Sequence, residues 1–264
     1  MSLHYDKFIL FGDSITQFSS AEPNGFQSGL QNLYMRKLDV LNRGFSGYNS
    51  DHAALILPRI LEQELNVNKN NVKLITIFIG TNDAFQIEDD INNIQAVPVE
   101  RYKQNLSKMT KLCLENNIKP IIIGPTLHDS KLSKSLLVEK GRPTNKDATT
   151  NSRNLQYSNT AKAVAEEFAV AFVDLWDAFR QYGGWSEEQL LKSNGTVDSQ
   201  HYVHLDELLV DGIHFSPTAY SIFRDKVVES ISKYYPELSA DSIPEKLAYW
   251  HDINPKDLVG SIFK

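Results

Sequence analysis

Lys7-Phe8-Ile9-Leu10-Phe11-Gly12-Asp13-Ser14 is the stretch that decides the fold. Its apolar residues run without alternation, as in a strand covered on both faces of a parallel sheet. Gly12 ends the run, and Asp13-Ser14 sits where a helix could begin over Ile15-Thr16-Gln17. Four more short apolar runs repeat the pattern: Leu38–Asn42, Lys73–Gly80, Pro120–Gly124 and Ala169–Asp174. Helical periodicity lies between them. Tyr102, Leu106, Met109 and Cys113 form one stripe, with Pro98 and Glu100 marking its start. Ala161, Val164, Ala165 and Phe168 form a second. A third helix is expected over 50–65, capped by Ser50 or Asp51, with Leu55, Leu57, Ile60 and Leu61 inside. A late helix is expected over Pro217–Tyr235. Strands alternating with helices predict an α/β fold: a five-stranded, doubly wound parallel sheet with right-handed crossovers. Such sheets bind ligands at the carboxyl ends of their strands.

Working outward, 264 residues suffice for one α/β domain, and one domain over 1–264 is expected, with its core at about 5–235. Thr126–Asn151 is polar and basic, and reads as a long loop near the site. The segment 236–264 is apolar, with Leu247, Tyr249, Trp250, Ile253, Leu258, Val259 and Phe263. It is expected to pack on the domain or on a second subunit, so a homodimer is one expectation. A formal charge of −6 argues against a nucleic-acid partner and gives no attraction to an anionic membrane. The single cysteine, Cys113, excludes an internal disulfide and fits a cytoplasmic location. No basic start precedes a signal-like apolar run, and no run is long enough to span a bilayer.

Four short motifs carry chemistry. Ser14, at a strand-to-helix turn, would expose its hydroxyl beside helix N–H groups that can hold an oxyanion. Taken alone, Asp13 or Ser14 could equally be a helix cap. Asp211-Gly212-Ile213-His214 offers a base and a carboxylate to orient it, which a weakly nucleophilic serine needs. Alone, it could be a turn bearing a surface histidine. Gly80-Thr81-Asn82-Asp83 offers the Asn82 amide as an oxyanion donor, or simply a turn. Asn42-Arg43-Gly44-Phe45-Ser46-Gly47 offers Gly44 as a point of close backbone approach, or again a turn.

In combination and order, these four blocks resemble the SGNH hydrolases, also called the GDSL family, over residues 8–216. The strand sequences and the blocks around Asn42–Tyr48 and Leu209–Ser216 are most similar to the isoamyl acetate-hydrolysing esterases of yeasts. The first block reads Gly-Asp-Ser-Ile, with Ile15 in place of Leu. The resemblance implies a flavodoxin-like three-layer α/β/α fold and a cytoplasmic serine esterase. Ser14 would be the nucleophile, His214 the general base and then acid, and Asp211 its orienting carboxylate. Ser14 and Gly44 N–H groups with the Asn82 side chain would form the oxyanion hole. Neither a metal nor an organic cofactor is implied, and the partner is a small-molecule ester, here a short-chain acetate such as isoamyl acetate.

The same apparatus could serve a carbohydrate deacetylase, a thioesterase or a lysophospholipase; pocket shape discriminates these. A catalytically inactive binding module is the rival from another class, and the complete set of site residues argues against it. Ser46 lacks the second glycine of a Gly-x-Ser-x-Gly elbow, since Tyr48 stands there. His201 and His204, near Asp198 and Asp206, have a spacing a metal could use, but no further motif supports it. Cys113 falls on a helical apolar stripe and reads as core.

Overall fold

The computed structural model describes residues 4–20, 23–66, 72–85, 95–140, 147–192 and 205–263. Five strands, β1 (Asp6–Gly12), β2 (Leu38–Gly44), β3 (Val72–Phe78), β4 (Lys119–Ile123) and β5 (Ala171–Val173), form one sheet. Its order is β2-β1-β3-β4-β5, and every neighbouring pair is parallel. That is the flavodoxin-like order, which reverses direction beside β1.

The unalternating apolar runs follow from this sheet having two cores. On β1, Phe8 and Leu10 point to one face while Ile9 and Phe11 point to the other, and all are fully buried. On β4, Ile121 and Ile123 take the first face and Ile122 the second. The first face is covered by α2 (Phe26–Leu33), α7 (Leu175–Gly183), α8 (Glu187–Lys192) and α9 (Pro217–Tyr234) through Leu30, Phe179, Leu190 and Phe223. The second is covered by α3 (Ser50–Asn66), α4 (Val99–Glu115) and α6 (Asn151–Glu167) through Leu57, Leu106, Met109 and Ala161. The molecule is therefore a three-layer α/β/α sandwich.

Three further α-helices are α1 (Ser14–Gln17), α5 (Ser130–Glu139) and α10 (Leu258–Ile262), and short 3₁₀ turns lie at Leu205–Glu207, Pro236–Leu238 and Trp250–Asp252. Two expectations change. Leu55, expected inside α3, is 75% exposed, because it projects away from the sheet while Leu57 and Leu61 are buried. Thr126–Asn151 is not loop throughout: Asp129 caps α5 by accepting from the Leu132 N–H at 2.9 Å. The segment 236–263 returns to the turn between α2 and β2. Arg36 donates to the Leu247 and Ala248 carbonyls at 2.8 and 3.1 Å and pairs with Glu245, while Tyr34 donates to the Leu238 carbonyl. Among the described residues no helix is long and apolar enough to cross a membrane.

Candidate active site

The end of β1 builds the first wall. Gly12 pairs with Gly44 on one side and Phe78 on the other, and a Cβ there would strike Thr16 and the Phe78 carbonyl. The chain then turns at once into α1, with Asp13 capping it by accepting from the Ile15 N–H at 3.0 Å. Ser14 is thereby the first helical residue, so its own N–H has no intrahelical acceptor. From the far end of the chain, Tyr220 of α9 donates to the Ile15 carbonyl at 2.7 Å and pins α1 in place.

The second wall is the turn before α9. Gly212 takes φ +88°, a left-handed conformation that folds Asp211 back over residues 213 and 214. Asp211 Oδ1 accepts from the Ile213 and His214 N–H groups at 3.0 and 2.8 Å. The turn docks on the α5 cap, where the Asp129 N–H donates to the Gly212 carbonyl at 3.0 Å. The outcome is a continuous chain: Ser14 Oγ to His214 Nε2 at 2.8 Å, and His214 Nδ1 to Asp211 Oδ2 at 2.7 Å. Residues two hundred apart in sequence meet here, and Ser14 is 6% exposed.

The electrostatics match the geometry. The hydrogen bond to Asp211 lifts the His214 pKa above 6.5, against the opposing effect of burial. Burial pushes Asp211 upward, but its bonds to the His214 ring and backbone outweigh that and hold its carboxyl well below the usual range. Two further carboxyls lie buried nearby. Burial raises both Asp13 and Asp83 to about 7. Asp83 ties β3 to α3 by accepting the Ser50 N–H on both oxygens.

The third wall follows β2 and β3. Asn82, 6% exposed, donates from Nδ2 to the Tyr48 carbonyl at 2.8 Å, which leaves its second Nδ2 hydrogen available. Gln95 joins Asn82 to Gly47, donating to Asn82 Oδ1 at 3.3 Å and to the Gly47 carbonyl at 3.2 Å. Gly44 requires a correction. Its N–H already donates to Asn42 Oδ1 at 2.9 Å, so it has no proton to offer an oxyanion. Its lack of a side chain serves packing instead, since a Cβ there would run into the Gln17 backbone of α1. Gly47, with φ +79°, is the glycine tied to Asn82 through Gln95, whose Nε2 a Cβ at Gly47 would meet at 3.4 Å. Three residues not singled out from the sequence also lie against this site: Gly47, in the same block as Gly44, Gln95, bonded to Asn82, and Phe18, one helical turn after Ser14 with its ring against that of His214.

Cys113 is buried, and burial pushes its thiol up to about 12, as befits a core residue. His201, His204 and Asp198 lie outside the described residues.

A serine, imidazole and carboxylate chain at the strand ends of a flavodoxin-like sheet defines the serine-hydrolase class. The chain belongs to the GDSL-like lipase/acylhydrolase family, whose model matches residues 10–222, and it is a serine esterase of that family. It is 35% identical to an isoamyl acetate-hydrolyzing esterase of Saccharomyces cerevisiae over 95% of this chain and 96% of the other. It is 31% identical to the isoamyl acetate-hydrolyzing esterase 1 homolog of Homo sapiens, over 96% and 90%. Among solved structures, a lipase/acylhydrolase from Enterococcus faecalis shares the fold with a TM-score of 0.57 at 20% identity, over 92% of this chain and all of the other. A mutant acetyl-xylooligosaccharide esterase from Geobacillus does so with 0.59 at 20%, over 88% and 96%.

Proposed function

We propose that this esterase hydrolyses short-chain acetate esters, isoamyl acetate among them, through an acyl-enzyme on Ser14. The Ser14 Oγ–H passes its proton to His214 Nε2 as Oγ bonds to the ester carbonyl carbon. Asp211, held ionised, fixes the imidazole tautomer and stabilises the imidazolium that forms. The negative carbonyl oxygen is received by the Ser14 N–H and the free Asn82 Nδ2 hydrogen, with the Gly47 N–H taking the part first given to Gly44. The imidazolium then gives its proton to the leaving oxygen, and the carbon–oxygen bond to the alcohol breaks. Water repeats the sequence on the acyl-enzyme, releasing acetate and restoring Ser14.

The observation that carries the mechanism is the 2.8 Å contact between Ser14 Oγ and His214 Nε2, backed by Asp211. The substrate rests on the likeness to relatives named for isoamyl acetate hydrolysis. A panel varying acyl and alcohol length separately tests it. Acetates of short alcohols should give the highest kcat/KM; a preference for long acyl chains would contradict the proposal. The compartment we propose is the cytoplasm, and secretion of a tagged full-length chain would refute it.

A further inference from the structure

Phe18, Tyr48 and Val210 are large apolar side chains left exposed near the reacting groups, and of these Phe18 is the one whose ring meets that of His214. Phe18 is 49% exposed, whereas aromatic rings elsewhere near the strand ends, such as Phe78 and Phe215, are buried. Its N–H donates to the Ser14 carbonyl at 2.9 Å, which sets it one helical turn past the nucleophile and on the same side of α1. Its ring stands edge-on to the His214 ring, at 6.0 Å between centroids and 76° between planes.

The chemistry decides which part of an ester comes here. Nε2 of His214 must deliver a proton to the leaving oxygen, so that oxygen lies within hydrogen-bonding reach of the imidazole. The carbonyl oxygen is drawn the other way, toward the Ser14 N–H and Asn82. The alcohol chain therefore leaves the reacting centre on the imidazole side, where Phe18 presents uncovered apolar surface. We propose that Phe18 is a specificity-determining residue, the wall against which an apolar alcohol group is buried. The inference rests on the acyl-enzyme mechanism proposed above.

Two ester series measured on the intact protein test it: acetates from methyl to pentyl, and methyl esters from acetate to hexanoate. In the wild type, each added alcohol methylene should raise kcat/KM about two- to fourfold until the wall is spanned. Phe18→Ala should flatten that slope, and Phe18→Leu should keep part of it. The ratio of kcat/KM values along the acyl series should keep its wild-type pattern in both variants. An unchanged alcohol slope in Phe18→Ala would overturn the inference. So would equal proportional loss in both series, which would make Phe18 a support for His214 rather than a wall. Labelling of Ser14 by an organophosphonate separates the two levels of failure. Labelled Ser14 with an unchanged slope refutes the role of Phe18 alone, whereas no labelling in the wild type refutes the mechanism beneath it.

Discussion

At His214 two opposing effects meet, and in the proposed mechanism their balance sets the pH range in which the enzyme works. The Asp211 bond favours the charged imidazole, burial disfavours it, and the bond wins, so the pKa lies above 6.5. The base form is the active one. The kcat/KM profile should therefore fall on the acid side through a pKa above 6.5. Asp211→Asn removes the cause: it should shift that limb down and reduce kcat by roughly 10³- to 10⁴-fold. A limb left in place in Asp211→Asn would mean another group controls it. Ser14→Ala should abolish hydrolysis of p-nitrophenyl acetate with an unaltered circular dichroism spectrum. The sequence singled out Ser14, Asp211 and His214 because the chemistry demands those residue types, and the structure links their side chains in one hydrogen-bonded chain. It did not single out Gly47, which we propose in place of Gly44. Choosing between Gly44 and Gly47 depends on which N–H is already used by a neighbour, and that is a property of the packed turn.

Among the elements, the turn over 211–214 carries the most with the least. Its Gly212 holds φ +88°, and a Cβ there would strike the Asp129 carbonyl. Gly212→Ala should therefore both strain the backbone and push the turn off α5. We expect a stability loss of about 1–3 kcal/mol, with a still larger fractional loss of kcat as His214 moves. Denaturant unfolding beside single-turnover kinetics measures both; a variant as active as wild type would remove the turn from the account. Long amphipathic elements such as α4 and α6 were legible because a stripe four and three residues apart survives any context. The short ones were not. α1 has one turn and exists because Asp13 caps it and Tyr220 holds it, and α5 is polar enough to read as loop.

In the whole molecule, burial of carboxyls ties folding to pH. Asp13 titrates at about 7 when folded against an ordinary 3.8, so the native state holds the extra proton between these values. Raising pH through that window lowers stability. The raised pKa of His214 acts in the same direction near neutrality, while depressed Asp211 stabilises only above the usual carboxylate range and loses its effect in acid. Thermal stability should thus decline from about pH 5 to about pH 8. Asp13→Asn should flatten the decline, because the amide keeps the oxygen that caps α1 but does not titrate. An equally steep decline in that variant would assign the effect elsewhere. A doubly wound parallel sheet was readable at this scale from strand runs buried on both faces, while the flavodoxin-like three-layer arrangement followed from the family resemblance. That residues 236–263 return to Arg36 was not readable, because the attachment combines apolar packing of Leu238, Ala240 and Ile243 with a specific set of Arg36 and Tyr34 bonds that only the folded chain brings together. The central claim is that Ser14 is the nucleophile, activated by a histidine two hundred residues away. Mass mapping of the folded protein after reaction with an organophosphonate tests it most directly. One adduct, on Ser14 and lost in His214→Ala at equal exposure, is the predicted result; an adduct on another serine, or none, would contradict it.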